Sequence, residues 1–282
     1  MNALSDPAPA TDLAQEWYAR PASMLNRCNL RPREIAAVDF QRQPSDLALR
    51  WVREEHAGLW QALEGIADHH QRAELFHHYT IAWQWWHEDP CRRPSAGMLE
   101  KRSYGNVLRG WGYDSNGPSG AVLKSWAEHR FGLRPIFHGK TLTSDTDALE
   151  RASVERLQVG IGQLFVQLDI LYTFCQDELR RQHPRHLELY RGSHDPEAYV
   201  IKHHGEDYYK RSAKEELVEF NCLSSFTENP EIAWEFGSRV WKVLVPRSKI
   251  LYYSHLLPQA WLGSEQEYLV LGGDYYTRRL LV

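Results

Sequence analysis

The chain has 282 residues, with 33 Lys and Arg against 37 Asp and Glu and a net charge of −4. This length can bury a substantial core in one large domain or two small ones. The slight acid excess provides no broad basic surface for a nucleic-acid backbone, so nucleic acid is disfavoured as a partner. Most of the 11 Trp are expected in the core, where their large rings bury apolar area.

Cysteine usage and the N-terminus indicate the compartment. The cysteines are far apart and form no C-x-x-C pair, at Cys28, Cys91, Cys175 and Cys222. This spacing favours neither a disulfide framework nor a thiolate zinc site, and a reducing compartment fits it best. The chain shows no signal-peptide pattern and no run of about 18 apolar residues. We therefore expect a soluble, cytoplasmic protein with no membrane insertion.

The N-terminal part of the chain has the pattern of an arm followed by helices. Residues 1–12 are rich in Ala, Pro, Ser and Asp and are expected to be a disordered arm. The apolar pattern over residues 46–64 predicts a helix with Ser45 as its N-cap. A second helix is predicted near residues 70–87, apolar around so much of its circumference that we expect burial on several sides.

Two further segments precede the predicted strands. Residues 104–120 are dense in Gly, Asn, Ser and Pro, and this composition predicts a loop. The apolar residues from Val154 to Cys175 recur in three- and four-residue steps, which predicts a long amphipathic helix. Gly160 and Gly162 within it follow no strand and lack a third glycine. A Rossmann phosphate loop is therefore excluded, and close helix packing is favoured.

After Pro184 the sequence changes character. Short runs rich in β-branched and aromatic residues, separated by turn residues, predict strands. These runs are residues 187–192, 217–226, 238–246, 248–253, 267–273 and 275–282. Helices first and strands last indicate an α+β fold. We divide the chain into a mainly helical region at 13–185 and a strand-rich catalytic region at 186–282, with one folded unit over 13–282 as the alternative.

An arginine near the end of the first predicted strand is the first candidate site residue. Arg191 follows Tyr190 and precedes Gly192, and a guanidinium there can hold a phosphate through two hydrogen bonds. Glycine beside it permits a ligand to approach the backbone closely. The alternative is an ordinary surface ion pair.

Two hydroxyl residues, Ser224 and Ser225, close the next strand. A hydroxyl at a strand end can orient a neighbouring carboxylate. In the alternative interpretation, these polar residues only end the strand and cap the helix that begins near Pro230.

Two carboxylates, Glu265 and Glu267, stand at the mouth of an apolar strand. In extended conformation both side chains project from one face, roughly 7 Å apart. Such a pair is costly unless a cationic ligand or hydrogen bonds offset the repulsion. The alternative is a solvated strand start.

Taken together and in this order, the three motifs resemble the R-S-E group of ADP-ribosyltransferases. The local sequences are also similar to the dinitrogenase reductase ADP-ribosyltransferase family, in ELYRGSH, FNCLSSFTENPEIAWEFG, GSEQEYLVLGG and the NRCNL of residues 26–30. The three motifs fall within residues 189–271, somewhat under a third of the chain. The group's second motif usually has the sequence Ser-Thr-Ser, whereas this chain has Ser224-Ser225-Phe226. Of these, Ser224 is carried over.

The resemblance implies a fold and a set of roles. The fold is ADP-ribosyltransferase-like, with two packed β-sheets around an NAD cleft. Glu267 is expected to stabilise the oxocarbenium-like ribose of the transition state and to be held in place by Ser224. Phe226 either contacts nicotinamide or is a buried strand-end residue, and the second interpretation is favoured. The residues implied in NAD⁺ binding are Tyr190, Arg191, Gly192 and Ser225.

The resemblance also implies an acceptor and partners. Glu265 is expected to orient an acceptor guanidinium and help to remove its proton, which makes the transfer arginine-specific. Residues 253–264 are expected to form a target-recognition loop, in which Trp261 either contacts the target or packs beneath the loop. The implied partners are the nitrogenase iron protein, as the target that is inactivated, and a PII signalling protein, as the regulator. NAD⁺ is a co-substrate, and no metal is required.

Two other functions remain open from the sequence. An NAD glycohydrolase or another glycoside-cleaving enzyme would also set carboxylates against an oxocarbenium-like transition state. A non-catalytic regulatory binding protein built on a transferase fold is the second alternative. Metal-dependent hydrolysis is disfavoured, because the paired histidines at 69–70, 77–78 and 203–204 lack H-E-x-x-H spacing.

Overall fold

The computed structural model describes residues 27–87, 95–137, 140–141, 161–194, 215–259, 262 and 266–281. The arm predicted at residues 1–12 lies outside these ranges. Within them, most helices precede the five strands of the main sheet and the strands are antiparallel, which confirms the α+β class. No helix in the described ranges is both long and apolar enough to cross a membrane.

The helices occupy the first two thirds of the chain, and one short helix lies among the strands. They are α1 (Pro32–Ala36), α2 (Val38–Arg42), α3 (Val52–Glu55), α4 (Ala57–Glu64), α5 (His69–His87), α6 (Ala96–Lys101), α7 (Tyr104–Tyr113), α8 (Pro118–Phe131), α9 (Ile161–Gln182) and α10 (Pro230–Glu235). The strands are β1 (Ile136–Phe137), β2 (Lys140–Thr141), β3 (His186–Ser193), β4 (Glu215–Thr227), β5 (Arg239–Pro246), β6 (Ile250–Tyr253) and β7 (Glu267–Arg279). The last two predicted runs are therefore a single strand, β7.

The main sheet has five strands in the order β4-β3-β5-β7-β6, and β1 pairs only with β2 among the described strands. β4 also pairs with β7 along most of its length, from Glu215 opposite Arg278 to Thr227 opposite Glu267. β4, β3, β5 and β7 therefore form a closed ring of pairings. This closure gathers the end of β3, the end of β4 and the start of β7. The expected arrangement of two packed sheets around an NAD cleft stays a prediction.

The helices and the sheet share one hydrophobic cluster. Tyr172 of α9 donates its hydroxyl proton to Ser248 O over 2.7 Å, and Gln176 donates to Ile250 O over 2.7 Å. α9 is thereby fixed against the start of β6. The division of the chain near residue 185 stays a prediction.

The helix predicted over residues 46–64 begins later than expected. Residues 44–48 adopt no regular helix, and Leu49 forms an isolated bridge with Cys28. Leu47 and Leu49 are both buried, so the chain buries alternate residues there as a strand does. Ser45 is consequently not a helix cap. α3 begins after Trp51, which has a left-handed backbone with φ of 73°.

The second predicted helix is confirmed as α5, but its expected burial on several sides is wrong. Trp86 is 86% exposed, and Trp85 and Ile81 are also exposed. The buried face instead carries Ala73, Phe76, Thr80 and Gln84, spaced by three or four residues. Three of the large apolar side chains of this helix therefore face solvent.

The loop predicted at residues 104–120 is wrong, because most of it is helical. The Ser103 hydroxyl caps α7 by accepting the Asn106 N–H. Gly110 serves packing, since a Cβ there would lie 2.1 Å from Ser119 Oγ of α8. The residues buried on α7 are Tyr104, Gly105, Val107, Leu108 and Trp111. Gly110 thus lets α7 and α8 approach each other, and only residues 114–117 connect them.

The long amphipathic helix is confirmed in its described part as α9, which continues to Gln182. Its apolar face supplies fully buried side chains, including Leu168, Leu171 and Phe174. The close packing expected at Gly162 is wrong for the described residues, since a Cβ there would meet none of their atoms within 4 Å. Gly160 lies outside the described residues.

Candidate functional site

The sheet register brings the three sequence motifs to one place. Tyr190 of β3 pairs with Thr227 of β4, and Thr227 pairs in turn with Glu267 of β7. The strand that carries Arg191 therefore lies beside the end of β4, which carries Ser224 and Ser225. That end of β4 lies in turn beside the start of β7, which carries Glu267. Glu265 and Trp261 lie outside the described residues.

Ser225 is the centre of the hydrogen bonds at this site. Its hydroxyl donates to Glu267 Oε1 over 2.6 Å and accepts the indole N–H of Trp111 over 2.8 Å. Its carbonyl accepts a hydrogen bond from Arg191 Nη1 over 2.6 Å. One residue thus connects β3, β4, β7 and the helix α7.

The contact that the sequence assigned to Ser224 is made by Ser225. Successive side chains of a strand point to opposite faces, so only one of the two serines can face Glu267. Ser225 stands diagonally across the ladder from Glu267 and shares its face with Thr227. Ser224 is buried, and its Oγ has no hydrogen-bond partner among the described residues.

Burial and hydrogen bonding act in opposite directions on Glu267. Burial raises the pKa of its carboxyl group above the ordinary value. The hydrogen bond from Ser225, the nearby indole N–H of Trp111 and the positive charge of Arg191 favour the ionised form and limit the rise in pKa. The site therefore holds a carboxylate in a poorly solvated position with several donors and a cation around it.

A cavity of about 540 Å³ lies in front of these residues. It falls within the usual size range of small-molecule sites, about 300–1,000 Å³. The end of α7, the strand ends and α10 form its walls. The lining residues used below are Trp111, Arg191, Gly192, Ser225 and Glu267.

Gly192 lines the cavity, but its lack of a side chain is explained by packing. A Cβ at this position would lie 1.9 Å from the carbonyl oxygen of Ala233 in α10. The glycine therefore lets α10 lie directly on β3. The close approach of a ligand to Gly192, which the sequence favours, stays a prediction.

The remaining predicted residues also lie at the cavity wall. Tyr190 donates its hydroxyl proton to Glu188 over 2.6 Å, and this hydrogen bond raises the pKa of the tyrosine to about 12. Phe226 is 2% exposed and packs edge-on against Phe220, as expected for a buried strand-end residue. The Arg191 guanidinium lies 5.9 Å from the centre of the Phe226 ring.

Several lining residues were not predicted from the sequence. The end of α7 and its connection to α8 contribute Tyr113, Asp114 and Ser115, and α10 with the residue after it contributes Ile232, Ala233 and Phe236. The sequence does not point to Trp111, because the composition of its segment predicts a loop. Its spacing of four residues from Val107 was a signal of a shared helix face.

The comparison with known proteins confirms the family that the sequence resembles. The model of the family described as dinitrogenase reductase ADP-ribosyltransferase matches residues 25–279. The chain is 34% identical over 255 residues to the NAD(+)--dinitrogen-reductase ADP-D-ribosyltransferase of Rhodospirillum rubrum, which covers 86% of this chain and 90% of that protein. No solved structure is significantly similar to the chain. Because both matches span most of its length, the chain belongs to the dinitrogenase reductase ADP-ribosyltransferase family.

Proposed function

We propose that this protein transfers ADP-ribose from NAD⁺ to an arginine of dinitrogenase reductase and thereby inactivates it. The observation that carries the proposal is the meeting of Arg191, Ser225 and Glu267, from three strands, at one cavity of about 540 Å³. Family membership supports the same activity, since the Rhodospirillum rubrum relative is named for it.

The cavity offers the groups that NAD⁺ requires. Arg191 brings a guanidinium to the wall, and a guanidinium binds phosphate oxygens through paired charged hydrogen bonds. Aromatic side chains at the rim, Tyr113 and Phe236, are largely exposed and present ring faces to planar groups. We assign binding of the NAD⁺ phosphates to Arg191, and contacts along the rest of the dinucleotide to Tyr190 and Gly192.

Glu267 is the residue that we assign to the bond-breaking step. Loss of nicotinamide from NAD⁺ places positive charge on the ribose, and an ionised carboxylate beside it stabilises that charge. The partly buried position strengthens this attraction relative to water. Ser225 keeps the carboxylate in place through its hydroxyl proton. We therefore transfer to Ser225 the positioning role that the sequence gave to Ser224.

Acceptor choice and regulation are the finer parts of the proposal. We assign orientation of the target arginine to Glu265 and target contact to Trp261 in the loop of residues 253–264. A carboxylate suits a guanidinium acceptor because the two groups match in fork geometry. Regulation by a PII protein and a cytoplasmic location follow from the resemblance and stay predictions.

The test is transfer of label from NAD⁺ to purified dinitrogenase reductase, with the parent and the Glu267→Gln variant side by side. We expect label on an arginine-containing peptide with the parent and none with the variant. Glu54→Gln is the matched control, because it neutralises an exposed carboxylate on α3 outside the cavity lining. Release of free ADP-ribose with no labelled protein would show an NAD glycohydrolase instead. A parent that neither binds nor cleaves NAD⁺ would be a binding protein on a transferase fold.

A further inference from the structure

We propose that Trp111 of α7 is a positioning residue for the reaction, because its indole N–H fixes the Ser225 hydroxyl and, through it, the Glu267 carboxylate. The inference rests on the proposed function, in which Glu267 stabilises the ribose. It assigns a role in the active site to a residue of the helical region, far in sequence from the three motifs.

The donors and acceptors of Trp111, Ser225 and Glu267 allow only one direction for this series of hydrogen bonds. An indole nitrogen is only a donor, and a serine hydroxyl has a single proton. Trp111 Nε1 lies 2.8 Å from Ser225 Oγ, so the hydroxyl must accept there. The hydroxyl proton is then directed to Glu267 Oε1, 2.6 Å away. The indole of Trp111 thus orients the Ser225 hydroxyl, and the hydroxyl orients the Glu267 carboxylate.

The indole is also held by packing between α7 and α8. Trp111 is 3% exposed on the buried face of α7. α7 packs closely on α8 where Gly110 meets Ser119. The Lys124 ammonium lies 5.9 Å from the centre of the indole ring and donates to Asn116 Oδ1 over 2.9 Å. Because its helix and neighbours fix the ring, the indole is a rigid donor for Ser225.

Loss of this donor has a chemical consequence at Glu267. Without the indole N–H, the Ser225 hydroxyl is free to rotate, and one of its buried lone pairs loses its partner. Burial already raises the pKa of Glu267, and the hydrogen bond from Ser225, whose hydroxyl Trp111 orients, limits the rise. Arg191 is the charged neighbour that also favours ionisation, and Asp114 and His194 line the same cavity. Removal of the donor therefore shifts ionisation of Glu267 to higher pH.

The test replaces Trp111 in the full-length chain by Phe, which keeps a ring and removes the N–H. We expect kcat for NAD⁺ cleavage to fall roughly tenfold to a hundredfold, with little change in KM for NAD⁺. The acid limb of the pH profile of kcat should move to higher pH. In a Ser225→Ala background, the same replacement should cost far less, since the two residues act in series.

Trp126→Phe is the matched control. Trp126 is fully buried on α8, and its indole donates to Asp169 Oδ1 over 2.7 Å, away from the cavity. Its loss should lower the melting temperature and leave the acid limb unchanged. If Trp111→Phe does not fold, the benzothiophene analogue of tryptophan at residue 111 keeps the bicyclic shape and lacks the N–H.

A second readout separates this inference from the proposed function. The carboxyl group of Glu267 is titrated by NMR with ¹³C-labelled glutamate, and the Glu267→Gln variant assigns its signal. We expect the titration midpoint to lie at higher pH in the Trp111 variant than in the parent. An unchanged midpoint together with an unchanged kcat profile overturns the role of Trp111. A parent protein that does not turn over NAD⁺ overturns the proposed function. The titration midpoint of Glu267 still tests the role of Trp111 in that case.

Discussion

Ser225 donates its hydroxyl proton to Glu267 across the β4–β7 ladder, while Ser224, one residue earlier, faces away from the carboxylate. These adjacent serines provide a matched pair for mutation. Ser225→Ala should lower kcat for NAD⁺ cleavage roughly tenfold to a hundredfold, because Glu267 loses its positioning donor. Ser224→Ala should keep the parent rate, since its Oγ has no hydrogen-bond partner among the described residues. Equal losses in both variants, measured by steady-state kinetics, would contradict the assignment.

Gly192 should be required for stability more than for ligand approach. A Cβ there would meet the Ala233 carbonyl at 1.9 Å, so Gly192→Ala has to displace α10 from β3. We expect the free energy of unfolding to fall by about 1–3 kcal/mol, as for other overpacked sites. Urea denaturation monitored by circular dichroism measures this change.

Gly162→Ala is the control for the glycine experiment. No atom of the part of the chain that the structure describes lies within 4 Å of a Cβ at Gly162, which is exposed on α9. Alanine is the better helix former, so we expect a gain of about 0.5–1 kcal/mol. A destabilised Gly162 variant would indicate that alanine is generally disfavoured at glycine positions of this chain. The loss of stability in the Gly192 variant would then no longer show that Gly192 is required for the packing of α10 on β3.

The sequence predicted the strands and the order of the site motifs because both depend on local patterns. Alternating β-branched and aromatic residues mark β3 to β7, and the chemical motifs stand at strand ends, where side chains meet a ligand. The exact serine could not be predicted. A register shift in the β4–β7 ladder between Phe220 and Leu223 helps to determine which serine faces Glu267, and no local pattern reveals the register.

The helical wall of the site could not be predicted for a different reason. The glycines at residues 105 and 110 suggested a loop, but tertiary packing outweighs their low helix propensity. Gly110 is required because Ser119 of α8 lies against it. That contact is between helices, so only the folded structure shows that Trp111 reaches Ser225.

His69 should make stability depend on pH. Its Nδ1 lies 2.7 Å from Glu178 Oε2, and its Nε2 lies 3.0 Å from the His255 carbonyl oxygen. Both partners are acceptors, so only the protonated ring satisfies both contacts. The hydrogen bond to Glu178 raises the pKa of His69 above its ordinary value of 6.5, although burial opposes the rise.

The direction of this pH dependence follows from the raised pKa. The stabilising contribution is complete below the unfolded-state pKa of about 6.5 and is lost as the pH rises through the higher folded-state pKa. The stability difference between the parent and His69→Gln should therefore be largest in mild acid and shrink above neutral pH. Urea titrations across this range measure it. His70→Gln is the control, because His70 is exposed beside Glu74, and a similar trend there would contradict the role of His69.

Arg191→Lys tests whether the guanidinium binds NAD⁺. Lysine keeps the charge but cannot present two parallel N–H groups to a phosphate, so KM for NAD⁺ should rise roughly tenfold. Arg247→Lys is the matched control, since Arg247 Nη1 also donates to a backbone carbonyl, that of His183, outside the cavity lining. Isothermal titration with NAD⁺ would then show weaker binding only in the Arg191 variant. Unchanged NAD⁺ affinity in that variant would mean that Arg191 serves the strands alone, through its hydrogen bond to the Ser225 carbonyl.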